Sequence, residues 1–254
     1  MGLPPLWFWR LATRSRALNE NLRNSVMESN DDQCLNVIVH ACRVLHAAHL
    51  SNNTWGFVAL RDPIGRGIWV TPDAMGFDEI EAPDIVLVSH RGDVIAGVGA
   101  PDDESAIGVW AMSDWPMIRA VVHVHSLYAA AFSSTDAALN ALSHEGCHLV
   151  PPDVVRIHSL STWEKDSGLA SLLGERGAVL LRGHGMVTGA ETLGRAVALA
   201  VYLEKSCRLQ LMVGSGYVVS DEEVLEKRSG QVARPGISWE YMKRVTPIPR
   251  ADCR

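Results

Sequence analysis

The sequence lacks the features that would place the protein in a membrane or on a nucleic acid. Its 254 residues contain no run of 18 or more apolar residues, so no membrane-spanning segment is predicted. The body of the chain has no cluster of lysines and arginines, and the formal net charge is −6. Because nucleic-acid-binding proteins usually carry a basic patch or stripe, no nucleic-acid partner is predicted. Instead, 47% of the residues are hydrophobic, which is enough for a sizeable core.

Cysteine is also scarce. The cysteines are odd in number and widely spaced, and no CxxC pair occurs. The five cysteines are Cys34, Cys42, Cys147, Cys207 and Cys253. This pattern argues against a disulfide framework, which uses an even number of cysteines. We therefore expect reduced thiols and a cytoplasmic location, where disulfides are rare.

The first 26 residues differ in composition from the rest of the chain. They contain four arginines and a single acid, Glu20, and the apolar stretch Leu3–Trp9 is too short and interrupted for a secretory signal. An arginine-rich, acid-poor segment suits a transit peptide, but it equally suits sequence upstream of a polar start at Met27. We predict a disordered extension over residues 1–26 and one folded domain over residues 27–254.

Hydrophobic periodicity and turn residues predict a mixture of strands and helices. Strands are predicted at Phe57–Leu60, Ile68–Val70, Asp84–Ser89, Val94–Val98, Ala120–His125 and Ala178–Leu181. Helices are predicted at Asn30–Leu50, from Asp102 to about Ser113, within Ala129–Leu142 and at Thr192–Leu211. The chain after Gly214 is predicted to be irregular, with Trp239 and Tyr241 as possible anchors. Strands and helices intermix without strict alternation, which predicts a mixed sheet between helices in one domain.

The segment that carries most chemical information is a His-x-His pattern in the predicted strand Ala120–His125. Residues i and i+2 of a strand point to the same face, so His123 and His125 present two imidazoles side by side. Val122 and Val124 should then face the opposite, buried side. Two neighbouring imidazoles are natural ligands for zinc or another first-row divalent metal. The alternative is that both histidines are ordinary polar residues on a half-exposed strand.

Two further residues favour the metal-site interpretation. His184 directly follows an apolar strand and lies between two glycines, which allow a tight turn that leaves the imidazole accessible. Glu104 lies in the first turn of the predicted helix before the His-x-His strand, where it can point a carboxylate toward that strand. Each residue alone has an ordinary explanation, as a turn histidine and as an acid at a helix start.

Several segments, in the same order, resemble the class II aldolase/adducin family over roughly Asp32 to Met212. The family has an acid about 20 positions before the first histidine of an AVVHxH strand, as Glu104 is before His123. It has a third histidine about 60 positions beyond the second, in an LR(N/G)HG strand exit, and here His184 lies in LRGHG. In the family, a helix ending in an acid follows this strand exit; here that acid is Glu204.

The resemblance implies a three-layer α/β/α sandwich with a central mixed, largely antiparallel sheet. It implies that His123, His125 and His184 bind one divalent metal ion, with Glu104 as the fourth ligand or the acid/base residue. Zinc is the first expectation for this ion, and manganese or iron are alternatives. The resemblance also implies a homotetramer with active sites at subunit boundaries.

The sequence departs from the family where its sugar-phosphate aldolases bind phosphate. Those enzymes use a GN(V/I)S(V/I)R loop, whereas residues 56–61 read GFVALR, with Phe57 and Ala59 at the Asn and Ser positions. The serine pair before the metal acid is replaced by Asp102 and Asp103. Carboxylates repel a phosphate dianion, and without the Asn and Ser side chains of the loop the phosphate oxygens lose hydrogen-bond donors. We therefore expect a non-phosphorylated substrate.

Three aromatic residues near the predicted site favour a flatter substrate than a sugar phosphate. They are Trp55, Phe57 and Trp110. The alternative is that these side chains belong to the hydrophobic core.

A cation held by three neutral imidazoles stabilises an enolate next to a carbonyl. The predicted function is therefore a metal-dependent lyase that cleaves a carbon–carbon bond, by retro-aldol cleavage or decarboxylation. Its predicted substrate is a small non-phosphorylated hydroxy or keto acid, or a hydroxyaromatic acid. Glu104 is the candidate base and Tyr128 a candidate proton donor, although Tyr128 can equally pack at a helix start. Arg61 and Arg182 are candidates for pairing a substrate carboxylate, with surface salt bridges as the alternative.

Two other functions stay open from the sequence. Three histidines with open coordination positions also suit an Fe(II)-dependent oxygenase on the same fold. The second alternative is a non-catalytic interaction protein, as in the adducin branch of the family. That branch lacks the full ligand set, whereas all four residues are present here.

Overall fold

An eight-stranded sheet forms the centre of the protein. The structure, a computed structural model, describes residues 30–51, 53–150, 154–157, 168–214, 216, 218–246 and 248. Within these residues the strands are β1 Gly56–Arg61, β2 Ile68–Val70, β3 Val86–Val88, β4 Val94–Ala96, β5 Ala120–Val124, β6 Val155–Ile157, β7 Ala178–Leu181 and β8 Gly185–Ala190. The strand order is β4-β3-β2-β1-β5-β8-β7-β6. Neighbouring strands are antiparallel except β6 and β7, which are parallel.

Helices cover both faces of this sheet. In chain order they are α1 (residues 30–47), α2 Ala106–Asp114, α3 Leu127–Ser133, α4 Leu169–Arg176, α5 Leu193–Val213, α6 Asp221–Gly230 and α7 Arg234–Val245. The buried apolar side chains form two clusters, one shared with α2 and α4 and the other with α1, α3, α5, α6 and α7. The predicted three-layer α/β/α sandwich with a mixed, largely antiparallel sheet is confirmed.

The alternation of side chains along β5 decides on which face the candidate site lies. Val122 and Val124 belong to the larger apolar cluster, whereas Val121 belongs to the cluster under α2 and α4. Because residues two apart share a face, His123 lies on the same side as Val121. The prediction that the two valines flanking His123 face the opposite, buried side is confirmed.

The elements with strong hydrophobic patterns agree best with the prediction. β2 and β7 have the predicted bounds, and β4 pairs with β3 as the expected hairpin partner. The segment Ala129–Leu142 contains helix as predicted, in the part of α3 that ends at Ser133. The strand β8 was not predicted, since its sequence GMVTGA contains two glycines and little alternation.

The prediction of an irregular chain after Gly214 is wrong, because this segment contains α6 and α7. Helix α6 is polar and buries only Val224 of its described residues, so no apolar periodicity marks it. In α7, Trp239 is 7% exposed and anchors the helix on the core, whereas Tyr241 is 57% exposed.

The N-terminal prediction falls on residues that the structure does not describe. Residues 1–29 lie outside the described range, so the extension over residues 1–26 and the domain start at residue 27 stay predictions. None of the helices in the described part of the chain is long and apolar enough to cross a bilayer.

Candidate metal centre

The four side chains predicted to hold a metal converge at one place. Glu104 lies in the short 3-10 turn before α2, His123 lies in β5, His125 directly follows β5, and His184 lies between β7 and β8. One potential ligand atom from each residue lies within 4.8 Å of all the others. Nε2 of His125 lies 3.0 Å from Nε2 of His123 and 2.8 Å from Nε2 of His184. Oε2 of Glu104 lies 2.8 Å from Nε2 of His123.

Two glycines allow the strands on either side of β5 to approach the histidines closely. A β-carbon on Gly56 would lie 2.5 Å from the carbonyl oxygen of His123, and one on Gly185 would lie 2.2 Å from that of Val124. Gly56 begins β1 and Gly185 begins β8, which pair with β5 from opposite sides. Any larger residue at either position would push a neighbouring strand away from β5.

A tight turn brings His184 to the histidine pair. The backbone N–H of His184 donates to the carbonyl of Leu181 at 3.0 Å, and Gly183 adopts a φ of 69°, which favours glycine. Burial lowers the pKa of His184 to about 4, and its neighbours His123 and His125 act in the same direction. The imidazole is therefore neutral at pH 7, which is the form that binds a metal.

Glu104 is positioned by the residue that begins its turn. A side-chain oxygen of Asp102 accepts a hydrogen bond of 2.8 Å from the backbone N–H of Glu104, which is the geometry of a capping acid. Burial acts to raise the pKa of Glu104, but hydrogen bonds with His123 and His125 outweigh it and hold that pKa well below its usual range. The carboxylate is therefore ionised at neutral pH and available as a ligand.

The donor set fits a divalent metal ion. A tetrahedral zinc with bonds of about 2.0–2.1 Å to nitrogen separates its ligand atoms by roughly 3.3 Å. The distances of 2.8, 3.0 and 3.4 Å from Nε2 of His125 to His184, His123 and Glu104 lie around this value. Nδ1 of His123 lies 2.9 Å from the carbonyl of Met186, and because a carbonyl only accepts, this nitrogen donates. In the neutral imidazole, Nε2 of His123 is then the nitrogen with the lone pair that a metal requires.

The site opens into a cavity of about 400 Å³. The described residues that line it are Trp55, Gly56, Asp73, Asp102, Asp103, Glu104, His125 and His184. Four of these eight residues are acids, and none of the eight is a lysine or an arginine. Burial raises the pKa of Asp102 to about 6, against the hydrogen bond from the Glu104 N–H. The described walls thus carry several negative charges at neutral pH and repel a phosphate.

The three aromatic residues of the sequence prediction divide between the cavity and the core. Trp55 is 61% exposed, lines the cavity and lies with its ring centroid 5.4 Å from that of His125. Phe57 is fully buried, although its ring lies 5.7 Å from that of His123, and Trp110 packs partly buried on the same apolar cluster. Phe57 and Trp110 therefore belong to the hydrophobic core, whereas the side chain of Trp55 is available to a ligand.

Tyr128 lies in the first turn of α3, three residues beyond His125. Its ring packs partly buried against the core, with the guanidinium carbon of Arg208 5.2 Å from the ring centroid. Tyr128 is not among the described residues that line the cavity. Its role as a proton donor stays a prediction.

The two candidate arginines have other partners. Arg61 donates to the backbone carbonyls of Met112 and Ile118, at the opposite end of β1 from the cavity. Arg182, two residues before His184, donates to Asp136 at 3.0 Å. The Asp136 side chain is 94% exposed, so this is the surface salt bridge that the sequence analysis gives as the alternative.

Sequence reasoning assigned no role at the site to Glu204. This carboxylate is buried on α5 and accepts hydrogen bonds from the chain segment that directly follows His125. Its signal in the sequence is an acid that follows directly on the apolar run from Ala196 to Leu203 in a helix. Buried carboxylates are rare without partners, so such an acid predicts a specific acceptor role.

Comparisons with known proteins agree with this fold. The family described as Class II Aldolase and Adducin N-terminal domain matches residues 36–211. Among solved structures, L-fuculose 1-phosphate aldolase from Glaciozyma antarctica has a TM-score of 0.76 at 23% identity, covering 86% of this chain and 92% of that one. This likeness shows the same fold.

Two curated relatives have names that describe chemistry on aromatic compounds or decarboxylation. One is 4-hydroxy-3-prenylphenylpyruvate oxygenase/4-hydroxy-3-prenylbenzoate synthase of Streptomyces roseochromogenus subsp. oscitans, 28% identical over 68% of this chain and 66% of that protein. The other is decarboxylase NovR of Streptomyces niveus, 28% identical over 68% of this chain and 67% of that protein. With the family match extending from residue 36 to residue 211, the chain belongs to the class II aldolase and adducin family.

Proposed function

We propose that the protein is a metal-dependent lyase that cleaves a carbon–carbon bond, by retro-aldol cleavage or decarboxylation. Its proposed substrate is a small non-phosphorylated hydroxy or keto acid, or a hydroxyaromatic acid. The observation that carries the proposal is the convergence of Glu104, His123, His125 and His184 within 4.8 Å beside an open cavity. A bound divalent cation supplies positive charge that stabilises an enolate next to the substrate carbonyl.

The charge of the cavity supports a non-phosphorylated substrate. Asp73, Asp102 and Asp103 line the cavity beside the metal-binding residues. Phe57 and Ala59, which replace the donors of the phosphate loop, are both fully buried and offer no side-chain hydrogen bond. A phosphate would thus meet several carboxylates, and none of the described lining residues is a lysine or an arginine that would compensate its charge.

The position of Trp55 supports a planar substrate. Its side chain is 61% exposed, lines the cavity and lies next to His125. A flat ring or a conjugated acid bound at His125 can stack on this indole with offset geometry. This supports a hydroxyaromatic acid over a flexible sugar, and the relative whose name includes a 4-hydroxy-3-prenylbenzoate synthase supports it independently.

The proton-transfer roles are assigned to residues close to the histidines. Glu104 is ionised and its Oε2 lies 2.8 Å from Nε2 of His123, so it is placed at the site to accept a substrate proton and return it to the product. Tyr128 is assigned as the proton donor, supported by its place three residues beyond His125. Arg182 is assigned to the substrate carboxylate, since its bond to the exposed Asp136 is weak enough to exchange. Arg61 stays a candidate for the same role, but its contacts with Met112 and Ile118 favour a structural one.

An Fe(II)-dependent oxygenase is the second candidate function. The observation that favours it is the relative whose name includes an oxygenase activity. Three imidazoles and a carboxylate with an open side also suit Fe(II). The two candidates differ in one measurable respect, because only the oxygenase consumes dioxygen. The adducin-like interaction module is less well supported, because it requires no metal-binding set.

Finer properties of the protein are also part of the proposal. Zinc is proposed as the resident metal, because a histidine-rich site of this size suits it. A homotetramer is proposed and is supported by exposed apolar side chains at the end of α5, where Met212 and Val213 are 69% and 57% exposed. A cytoplasmic location is supported by the described cysteines Cys34, Cys42 and Cys147, which form no disulfide.

A substrate screen under two atmospheres tests the proposed function. The protein is loaded in parallel with zinc, manganese or Fe(II) and incubated with hydroxy acids, aldols and hydroxyaromatic acids, under air and under argon. We expect carbon dioxide or an aldehyde to be released under argon, and the release to be lost in Glu104→Gln but kept in the surface variant His46→Ala. Turnover only under air, with dioxygen consumed, supports the oxygenase instead. Absence of both turnover and bound metal supports the interaction module.

A further inference from the structure

The buried carboxylate of Glu204 accepts three hydrogen bonds from the chain that follows His125. It accepts from the Ser126 hydroxyl at 2.7 Å, from the Tyr128 N–H at 2.9 Å and from the Ala129 N–H at 2.8 Å. Both carboxylate oxygens are used, and Glu204 is only 9% exposed. A carboxylate in such surroundings is stabilised by these charge-assisted bonds and holds its donors in fixed positions.

These bonds replace the usual cap of a helix. Ser126 is the N-cap residue of α3, yet its side chain makes no cap hydrogen bond to its own helix. Its hydroxyl donates to Glu204 instead, and Glu204 accepts the first backbone N–H groups of α3. Two orphan donors in the first turn of α3, the N–H groups of Tyr128 and Ala129, are thus satisfied by a side chain 76 and 75 positions away in the sequence. The bend between β5 and α3 therefore depends on α5.

His125 lies between two fixed points. On one side, Gly185 lies against the backbone of β5, and a β-carbon there would lie 3.0 Å from Cα of His125. On the other side, the next residue, Ser126, is fully buried and bound to Glu204. Helix α5 is packed into the core at this point, because Leu203 and Cys207 on either side of Glu204 are fully buried.

We propose that Glu204 is a positioning residue for the metal centre, which acts by holding the backbone of His125 at its place beside His123 and His184. The inference depends on the proposed metal site. Glu204 does not touch the metal-binding atoms but fixes the bend from which the central imidazole projects. Nε2 of His125 lies within 3.4 Å of potential ligand atoms of three other residues, so a small shift of its backbone disturbs the whole set. Partners that orient metal ligands typically change metal affinity by about 10- to 100-fold when they are lost.

The test compares metal binding by wild type, Glu204→Gln and a matched control. The control is Asp62→Asn, the same carboxylate-to-amide change at another buried acid, which accepts hydrogen bonds from Arg66 and Trp69 at the far end of β1. Zinc affinity is measured by competition with a chelator, and the visible spectrum of the cobalt-loaded protein reports the ligand geometry. Urea unfolding of the metal-free proteins measures the loss of stability in each variant.

We expect Glu204→Gln to bind zinc about 10- to 100-fold more weakly and to shift the cobalt spectrum. We expect Asp62→Asn to lose stability while keeping wild-type affinity and spectrum. If Glu204→Gln does not fold, Ser126→Ala tests the positioning role instead. We expect this variant to bind zinc several-fold more weakly than wild type. If Glu204→Gln keeps the wild-type zinc affinity and cobalt spectrum, the positioning role is overturned but the proposed function is not. The same holds for Ser126→Ala if Glu204→Gln does not fold. If wild type binds no divalent metal, the proposed function fails with it.

Discussion

The α-carbon of Gly185 lies directly against the backbone of Val124, so closely that a β-carbon would come within 2.2 Å of the Val124 carbonyl oxygen. This contact joins β8 to β5 at the level of the candidate metal centre. His184 precedes the glycine and His125 follows the valine, and their Nε2 atoms lie 2.8 Å apart. The close approach of two backbones thus brings together two imidazoles that are far apart in the sequence.

Replacing Gly185 by alanine should therefore damage both stability and metal binding. The added methyl group cannot be accommodated without moving β8, and we expect a loss of about 3 kcal/mol in the free energy of unfolding, at the upper end of overpacking costs. Bound zinc should fall in parallel. The control is Gly230→Ala at the end of α6, where a β-carbon meets nothing within 4 Å. An alanine variant at position 185 with unchanged stability and zinc content would refute the close-approach argument.

Trp55 should affect substrate affinity without affecting stability. Because its side chain is 61% exposed, Trp55→Leu should unfold at the same urea concentration as wild type. Loss of ring stacking should weaken the binding of a planar hydroxyaromatic acid by about 2- to 10-fold, measured as KM or by titration. Tyr241→Leu removes another exposed aromatic ring, on α7, and should leave the affinity unchanged. Equal affinities in wild type and Trp55→Leu would exclude the stacking role.

The ionisation of Asp62 should make the stability of the protein depend on pH. Burial acts to raise its pKa, but hydrogen bonds from Arg66 and Trp69 outweigh it and hold that pKa below its usual value. A lowered pKa in the folded state means that the unfolded state binds more protons near the ordinary aspartate pKa of about 4. The stabilisation is therefore fully present at pH 7 and is lost as the pH falls below about 4, through the folded-state value.

The variant Asp62→Asn isolates this contribution. At pH 7 it should lower the free energy of unfolding by roughly 2 kcal/mol, since the charge-assisted hydrogen bonds from Arg66 and Trp69 become neutral ones while Arg66 keeps its ion pair with Asp31. The difference from wild type, measured by urea unfolding of the metal-free proteins, should shrink as the pH is lowered below about 4. A difference that stays constant from pH 7 to pH 3 would contradict the role of the ionised carboxylate.

The acidic cavity predicts that sugar phosphates are not substrates. Fuculose phosphate should neither react nor raise the Tm of the zinc-loaded protein, because Asp102 and Asp103 repel its phosphate. Replacing both aspartates by serine should make inorganic phosphate raise the Tm of the variant. Measured turnover of fuculose phosphate by the unaltered protein would defeat this explanation of specificity.

The parts of the fold and site with strong local patterns could be predicted from the sequence. The alternation along Ala120–Val124 fixes which face His123 occupies, and the sandwich follows from the mixture of strands and helices. The spacing of Glu104, His123, His125 and His184 indicated the cluster because the family resemblance supplied its geometry. Without that resemblance, each of these residues had an ordinary explanation.

Other features depend on contacts between distant segments and have little local signal. Glu204 lies on a different helix from the bend that it caps, and a helical acid does not reveal its donors. Helix α6 buries little more than Val224 in its described part, so its place is set by packing and not by periodicity. The exposure of Trp55 and the burial of Phe57, only two residues apart, follow from the start of β1 between them. Residue type alone does not distinguish the two positions.

The metal content of the purified protein tests the central claim most directly. Elemental analysis of wild type, His125→Ala and the surface control His46→Ala should give one divalent ion per chain in wild type and control. The His125→Ala protein should contain almost none, while its far-UV circular dichroism stays close to that of wild type, because His125 lies at the edge of the cavity and not in the core. Full metal occupancy in His125→Ala, or no metal in wild type reconstituted with zinc, would contradict the account.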